Sequence, residues 1–299
     1  GKMNKFAEME KSRKNCKTFN IIGIVLIILG FIIFLVNMGG EGNFESILGI
    51  SFALMIIGII STIISSAQFK RLSNKFKETY LSELVAKTFT NGKYFIKGGI
   101  DLKRLYNTHL VKKADRSSTE DLITGEIEGV YFQTCDVKLE ERHTRHTKNG
   151  TQTYYVTYFL GRFFEFEFPK EFKGQVVVTE AGLSTLFSNL KKVELESVEF
   201  NKKFKTYAAN EIDAFYIITP HFMESLMKLE KENPGTVMAS FANKKLSIAI
   251  NNSINTFELN LYKPIDEGSL KKMEYELNVI KDIVLELKLN NNIFIGEGE

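Results

Sequence analysis

Hydrophobic and polar positions divide the chain into two unlike parts. Residues 20–38, NIIGIVLIILGFIIFLVNM, and residues 46–66, SILGISFALMIIGIISTIISS, carry no charged side chain. Each run is close to the ~20 residues that cross a ~30 Å hydrocarbon core as a helix. A soluble core helix is apolar along one stripe and not on every face, so the pattern predicts two membrane spans. A backbone in lipid must satisfy its own hydrogen bonds, so both runs are expected to be helical.

Beyond the second run the periodicity changes. Leu72, Phe76, Tyr80 and Leu84 recur every four residues and predict a stalk helix over 69–90. Asn91-Gly92 and Gly98-Gly99 mark turns, and Asp101 is placed to cap a short helix. GEIEGVYFQTCDVKLE and TYYVTYFLGRFFEFEF are rich in β-branched and aromatic residues and predict strands. Asn149-Gly150 between them is a hairpin-turn signal, with Lys148 expected opposite Thr151. That register sets Cys135, Val137 and Leu139 across from Phe164, Arg162 and Leu160. PKEFKGQVVV is expected to turn at 169–174 and EAGLSTLFSNL to be a helix. KKVELES and FNKKFKTYA read as short extended pieces. Residues 215–218 read as a buried strand, followed by a helix capped by Thr219 with Pro220 in its first turn and stopped by Asn233-Pro234-Gly235. TVMASFA, KKLSIAI and NTFELNLY predict three short strands, and Leu270, Met273, Leu277, Ile280, Val284 and Leu287 a closing helix.

The predicted class is therefore α+β: a transmembrane hairpin followed by a cytosolic domain with a mainly antiparallel sheet and flanking helices. The expected divisions are 3–68 for the basic leader and hairpin, 69–90 for the stalk and 91–299 for the domain. Gly1 and Lys2, ahead of Met3, read as a remnant outside the native start.

Charge adds orientation. Lys5, Lys11, Arg13, Lys14 and Lys17 precede the first run, and Lys70, Arg71, Lys75 and Lys77 follow the second. The connector between them has no Lys or Arg and carries Glu41 and Glu45. Positive flanks predict both termini on the cytoplasmic side of an inner membrane. Neither span holds an ionisable residue of the kind that lines transport paths, so the hairpin reads as an anchor or an oligomerisation element. Gly23, Gly30, Gly49 and Gly58 offer close packing without forming a G-x-x-x-G pair.

Composition narrows the chemistry. The chain has 299 residues, 44% hydrophobic and 25% charged, so it is folded throughout most of its length. A formal charge of +3 is too small to predict a nucleic-acid partner. Two cysteines, Cys16 and Cys135, form no spaced framework.

Three segments resemble a known family: 121–140 (DLITGEIEGVYFQTCDVKLE), 161–178 (GRFFEFEFPKEFKGQVVV) and 193–226 (VELESVEF through HFMESL). They are similar to a bacterial DUF3137-like family of membrane-anchored domains of unknown function, sometimes labelled galanin. The resemblance covers roughly 70–265 of this chain and implies a bacterial protein with an N-terminal membrane hairpin. It also implies a neighbourhood with LemA-like envelope proteins, and it supplies no catalytic residues to carry over.

Among the candidate sites, His143 and His146 in ERHTRHTKNG are three apart, so strand alternation puts them on opposite faces and argues against a metal pair. What remains there is a basic hairpin tip. Arg142, Arg145 and Lys148 are the candidate contacts to a partner or lipid headgroup, with Lys70, Arg71, Lys75 and Lys77 as a second, membrane-proximal set. Ser184, Ser188 and Ser240 lack a nucleophile motif, and Glu194, Glu196 and Glu199 read as a solvated strand face. No catalytic residue, metal or cofactor is expected.

The favoured reading is a membrane-tethered scaffold. It would be oligomeric and bind membrane lipids, itself, or another envelope protein such as a LemA-like one. A lipid or hydrophobic-ligand binder using the Phe163–Phe168 stretch is the alternative, and a hydrolase with an unfamiliar site the third.

Overall fold

The computed structural model describes residues 2–38, 44–148, 150–180 and 189–287. It divides into two compact units: Gly1–Tyr80 with Phe257–Met273, and Leu81–Thr256 with Glu274–Glu299.

The first unit is built on two long helices, α1 (Lys2–Asn37) and α2 (Phe44–Phe76). Both are long and apolar enough to cross a membrane, and only 17% and 11% of their most apolar windows are buried. The exposed side chains are Ile22, Leu29, Ile32, Ile57, Ile60 and others like them, a surface that water would not tolerate. Small residues set the spacing of the pair. A Cβ added at Gly58 would lie 2.5 Å from the Gly23 carbonyl oxygen, and one at Gly30 would lie 2.7 Å from the Ser51 carbonyl oxygen. Gly49, by contrast, has nothing within 4 Å. Serines complete the contact by donating across the pair, Ser51 to the Gly30 carbonyl at 2.6 Å and Ser65 to the Cys16 carbonyl at 2.6 Å. In hydrocarbon, where apolar burial drives nothing, such close packing and interhelical hydrogen bonds hold helices together.

Residues 257–265 return to this unit as a strap, although NTFELNLY was expected to be a strand. The segment is irregular and its own backbone groups turn locally, with Tyr262 N–H donating to Asn260 Oδ1 at 2.8 Å.

After α2 comes a π-helical turn at Lys77–Leu81 and then the short α3 (Ser82–Thr88), which opens the second unit. Among the described residues its seven strands are all paired antiparallel: β1 (Thr90–Phe95), β2 (Arg116–Ile127), β3 (Val130–Thr147), β4 (Gly150–Thr179), β5 (Lys191–Val193), β6 (Lys205–Ala208) and β7 (Thr236–Asn251). The order is β1-β2-β3-β4-β6-β5, with β7 also on β4. Helices α4 (Leu102–Asn107), α5 (Val198–Lys203), α6 (Glu211–Ile217), α7 (Pro220–Glu232) and α8 (Glu267–Glu286) flank the sheet. The α+β class is as the pattern predicts.

One face of the sheet buries Cys135, Val137, Leu139, Phe159, Phe163 and Ala249 with Leu105 and Leu110 from around α4. The opposite face carries Phe132, Phe164 and Phe166, again buried. The caps follow the sequence: Asp101 accepts from Lys103 N–H, and Thr219 accepts from Phe222 N–H with Pro220 in the first turn of α7.

Five further local expectations change. The extended piece expected at 200–208 begins in a helix, α5, because Ser197 caps it by accepting from Phe200 N–H, and only Lys205–Ala208 is strand. Residues 215–218 are not a strand, because Asn210 caps α6 by accepting from Ile212 N–H and Glu211 and Asp213 suit its positive end. Segment 169–174 is not a turn, because β4 continues through it, with its register against β7 shifting between Glu167 and Val176. TVMASFA and KKLSIAI are one strand, β7. The β3–β4 register differs as well: Thr147 pairs with Gly150 and an irregularity follows between Leu139 and Glu140, so Cys135 faces Phe163 and Asp136 faces Arg162. That register seats Phe163 in the core and gives Arg162 a carboxylate partner. The helix expected at 180–190 falls largely on residues outside those described, as do Asn149 and most of the connector.

Candidate functional site

Beyond Glu140 and Thr157 the sheet narrows to a two-stranded ribbon. The β2 pairing ends at Arg116↔Glu140, and the β7 pairing ends at Gly161↔Asn251. Residues 141–147 and 150–156 continue as a pair on their own, a projection of roughly 23 Å at the usual strand rise. Nearly every described side chain in it is exposed, including Arg142, Arg145 and Lys148. The predicted basic tip is therefore solvent-facing, but its cations are not one patch. Arg142 pairs with Tyr155 on one face, Arg145 with Gln152 on the other, and Lys148 lies in the turn.

The histidines separate as strand alternation requires. His143 stacks on Tyr154 at 5.6 Å, and His146 Nδ1 lies 3.1 Å from Thr151 Oγ1. The root of the ribbon is braced. The Arg116 guanidinium stacks 4.1 Å over the Tyr155 ring and donates to Glu140 at 2.5 Å, and Lys112 pairs with Glu141. The Arg116 hydrogen bond, with help from Lys138, holds the Glu140 carboxyl down to about 2. Charged side chains along an open edge also keep it from pairing with other strands.

The membrane-proximal set divides. Arg71 and Lys75 are exposed. Lys77 is not available to a headgroup: its side chain is fully buried and its Nζ donates to Glu258 at 2.7 Å. Lys70 reaches the same carboxylate at 3.1 Å, with Ser73 at 3.5 Å. Burial raises the Glu258 carboxyl, but the Lys77 and Lys70 contacts outweigh it and the net shift is down. The helical stripe through Phe76 and Tyr80 gave no sign of this, because the partner comes from the strap, far along the chain. The strap makes further contacts with α1. Arg13 donates to the Leu261 carbonyl at 2.5 Å, Ile265 N–H to Glu10 at 2.8 Å, and the Tyr262 hydroxyl to Asn20 at 2.9 Å.

Two features escaped the sequence. The first is a buried charged cluster on the Phe-bearing sheet face. Arg162 donates to Asp136 Oδ1 at 3.0 Å, to Thr134 Oγ1 at 3.2 Å and to the Asp121 carbonyl at 3.4 Å. Asp121 sits at the β2 register shift with φ 55°, fully buried, and accepts from the Tyr94 hydroxyl at 2.5 Å. Among the described residues, Asp136 Oδ2 has no hydrogen-bond partner of ordinary geometry. Burial pushes the Asp136 carboxyl up to about 7 against the attraction of Arg162, with Asp121 and Glu120 adding to the rise. Reading Asp136 and Arg162 as a cross-strand pair would have revealed the cluster, had the register been right.

The second is a cavity of about 550 Å³ between α7 and α8, lined by Leu229, Asn233, Asn252, Tyr275, Val279 and Ile283 among others. The two helices are joined beside it. His221 Nε2 lies 2.8 Å from the Glu286 carbonyl oxygen, Ser225 donates to that oxygen at 3.0 Å, and Lys228 pairs with the Glu286 carboxylate at 2.9 Å. His221 and Ser225 thus serve one carbonyl of those that a helix end leaves open. The aromatic stretch expected to hold a ligand lies elsewhere: Phe163, Phe164 and Phe166 are buried in the sheet layers and do not line this cavity.

The other candidates are dispersed. Ser240 is buried in β7, Glu194, Glu196 and Glu199 are exposed, and Ser184 and Ser188 fall outside the described residues. Cys135 is buried, and desolvation pushes its thiol up to about 11, where it is a poor nucleophile.

Residues 157–289 match the family model described as "Protein of unknown function (DUF3137)", so this part of the chain is DUF3137-like. No curated protein matches the chain. Among solved structures, the crystal structure of the mycobacterial trehalose monomycolate transport factor A, TtfA, aligns with a TM-score of 0.36 and 8% identity over 70% of this chain and 94% of that one. A likeness that weak assigns neither fold nor role.

Proposed function

We propose that this DUF3137-like chain is a membrane-tethered, non-catalytic binding module, anchored in a bacterial inner membrane with both termini in the cytoplasm. The observation that carries the reading is the first unit. Two helices, each with a long charge-free stretch and packed through Gly23, Gly30 and Gly58, turn their large apolar side chains outward, while basic residues flank those stretches at one end. An anchor of that kind moves no ion and holds the second unit at the membrane.

The binding element is the projecting ribbon, an exposed, braced and basic surface with Tyr154 and Tyr155 as contact area. Its partner is a second copy of the chain or an acidic surface on another envelope protein. A LemA-like protein is the candidate that the family resemblance suggests.

Topology is tested with single cysteines in a background lacking Cys16 and Cys135, placed at Asn43 in the connector and at Thr151 in the ribbon. A membrane-impermeant maleimide on intact spheroplasts labels Asn43→Cys and spares Thr151→Cys until lysis. The reverse pattern overturns the orientation. A photo-crosslinking residue at Thr153 then reads binding. Specific adducts that vanish when Arg142, Arg145 and Lys148 are reversed to Glu support the ribbon as the docking element, and adducts insensitive to those changes overturn it.

The α7–α8 cavity favours a second reading, a small-molecule binder, since 550 Å³ lies within the range of ligand sites. Native mass spectrometry tests it: a retained ligand lost on Val279→Trp supports the reading, and no retained mass in the parent protein sinks it.

A further inference from the structure

The strap brings a tyrosine and a lysine to the depth at which the apolar helix surface begins. Asn20 lies three residues past Lys17, the last charge before the apolar run, and Phe19 beside it is already 57% exposed. Tyr262, 242 positions later, donates its hydroxyl to the Asn20 side chain. Its ring is 54% exposed, and the Lys17 ammonium lies 5.9 Å from the ring centroid. Lys263, the next residue, is exposed as well.

The turn that presents these groups is fixed. Tyr262 N–H donates to Asn260 Oδ1 and Lys263 N–H to the Asn260 carbonyl at 3.2 Å. Phe257 and Ile265 on either side are buried, and Glu258 and the Leu261 carbonyl are tied to Lys77 and Arg13. A tyrosine with an exposed ring and a hydrogen-bonded hydroxyl is suited to the membrane–water boundary, and lysines just outside it are suited to anionic headgroups.

We infer that the turn at 260–263 is a lipid-headgroup site, in which Tyr262 sits at headgroup level and Lys17 and Lys263 hold the phosphate of an anionic phospholipid. This rests on the anchor reading above and adds a site that the basic flanks alone do not specify. The occupant follows from charge: Lys17 lies over an exposed ring, exposed Lys263 is the ring's neighbour in the chain, and an anionic phospholipid supplies both an acyl region and a phosphate there.

The chain contains no Trp, so one introduced indole reports its own surroundings. The full chain carrying Tyr262→Trp is reconstituted in phosphatidylcholine vesicles containing an equal low fraction of brominated phosphatidylglycerol or brominated phosphatidylcholine. The expected result is blue-shifted emission, quenched more by bromine near the glycerol backbone than deep in the chain. Brominated phosphatidylglycerol quenches more than brominated phosphatidylcholine, and the preference falls about fivefold for each of Lys17→Gln and Lys263→Gln.

Quenching without lipid preference, or a preference untouched by both lysine changes, overturns the headgroup site. Emission like that of a water-exposed indole, unquenched by either lipid, overturns it too. Leu29→Trp, midway along the apolar run and 46% exposed, is the separate control. If deep bromine fails to quench that indole, the anchor reading itself fails. Pro264→Trp is the alternative reporter if Tyr262→Trp does not fold.

Discussion

Replacing Arg162 by Met tests the buried cluster most directly. The Arg162 and Asp136 side chains are 7% and 4% exposed, so the ion pair is shielded from water on both sides. The change removes the 3.0 Å bond to Asp136 and leaves Thr134 Oγ1 and the Asp121 carbonyl without their Arg162 donors. Above pH 7, where Asp136 is ionised, breaking a buried pair by deleting one partner costs about 3–5 kcal/mol, because the remaining charge is left uncompensated.

A whole domain is stable by about 5–15 kcal/mol, so the variant should unfold at visibly lower denaturant. Arg162→Met combined with Asp136→Ala removes both charges and should recover at least about 2 kcal/mol relative to the sum of the single changes. The assay is guanidinium unfolding of detergent-solubilised protein, followed by far-ultraviolet circular dichroism and tyrosine fluorescence. If the two single changes add within about 0.5 kcal/mol, the pair is not coupled and the account of the cluster is wrong.

Other outcomes follow from the same geometry. Because the folded-state pKa of Asp136 is raised to about 7 from 3.8, the folded protein holds this proton more tightly than the unfolded chain. Its contribution is fully present below the unfolded value and is lost as pH rises through 7, so stability should fall between pH 4 and 7, and Asp136→Asn should flatten that slope. Gly58→Leu forces a side chain into the 2.5 Å approach to the Gly23 carbonyl and should cost about 1–3 kcal/mol in thermal unfolding in detergent, whereas Gly49→Leu, with open space around it, should be silent. Lys77→Met removes a charge-assisted bond to Glu258 and should cost about 2 kcal/mol, while the exposed Lys75→Met should stay within about 0.5 kcal/mol. Reversing Arg142, Arg145 and Lys148 to Glu should leave the unfolding midpoint unchanged, because all three are exposed, and should abolish the ribbon crosslinks.

The apolar helices were legible because their signal needs no partner: uniform apolarity over 19 or more positions is a property of the run itself. The caps at Asp101 and Thr219 were legible for the same reason, since the capped N–H lies two or three residues away. Reading failed where two distant segments decide together. Phe215-Tyr216-Ile217-Ile218 looks like a strand by composition, yet the cap at Asn210 makes it helical. The ribbon turn was placed one residue late, and the irregularity at Leu139 changed the register again, which hid the Asp136–Arg162 pair. Lys77 looked like a surface cation because its carboxylate partner lies 181 positions away. The placement of His143 and His146 on opposite faces was legible because alternation along a strand is local.

The strap also fixes an order of events during synthesis. The two apolar helices leave the ribosome first, and Lys77 emerges long before Glu258. At the usual elongation rates the interval is roughly 10–40 s. Throughout it, Lys77 and Arg13 lack the acceptors that the strap supplies, so the base of the hairpin is complete only after the strap has been made. A chain truncated before residue 257 would therefore carry the two apolar helices without the strap's acceptors for Lys77 and Arg13.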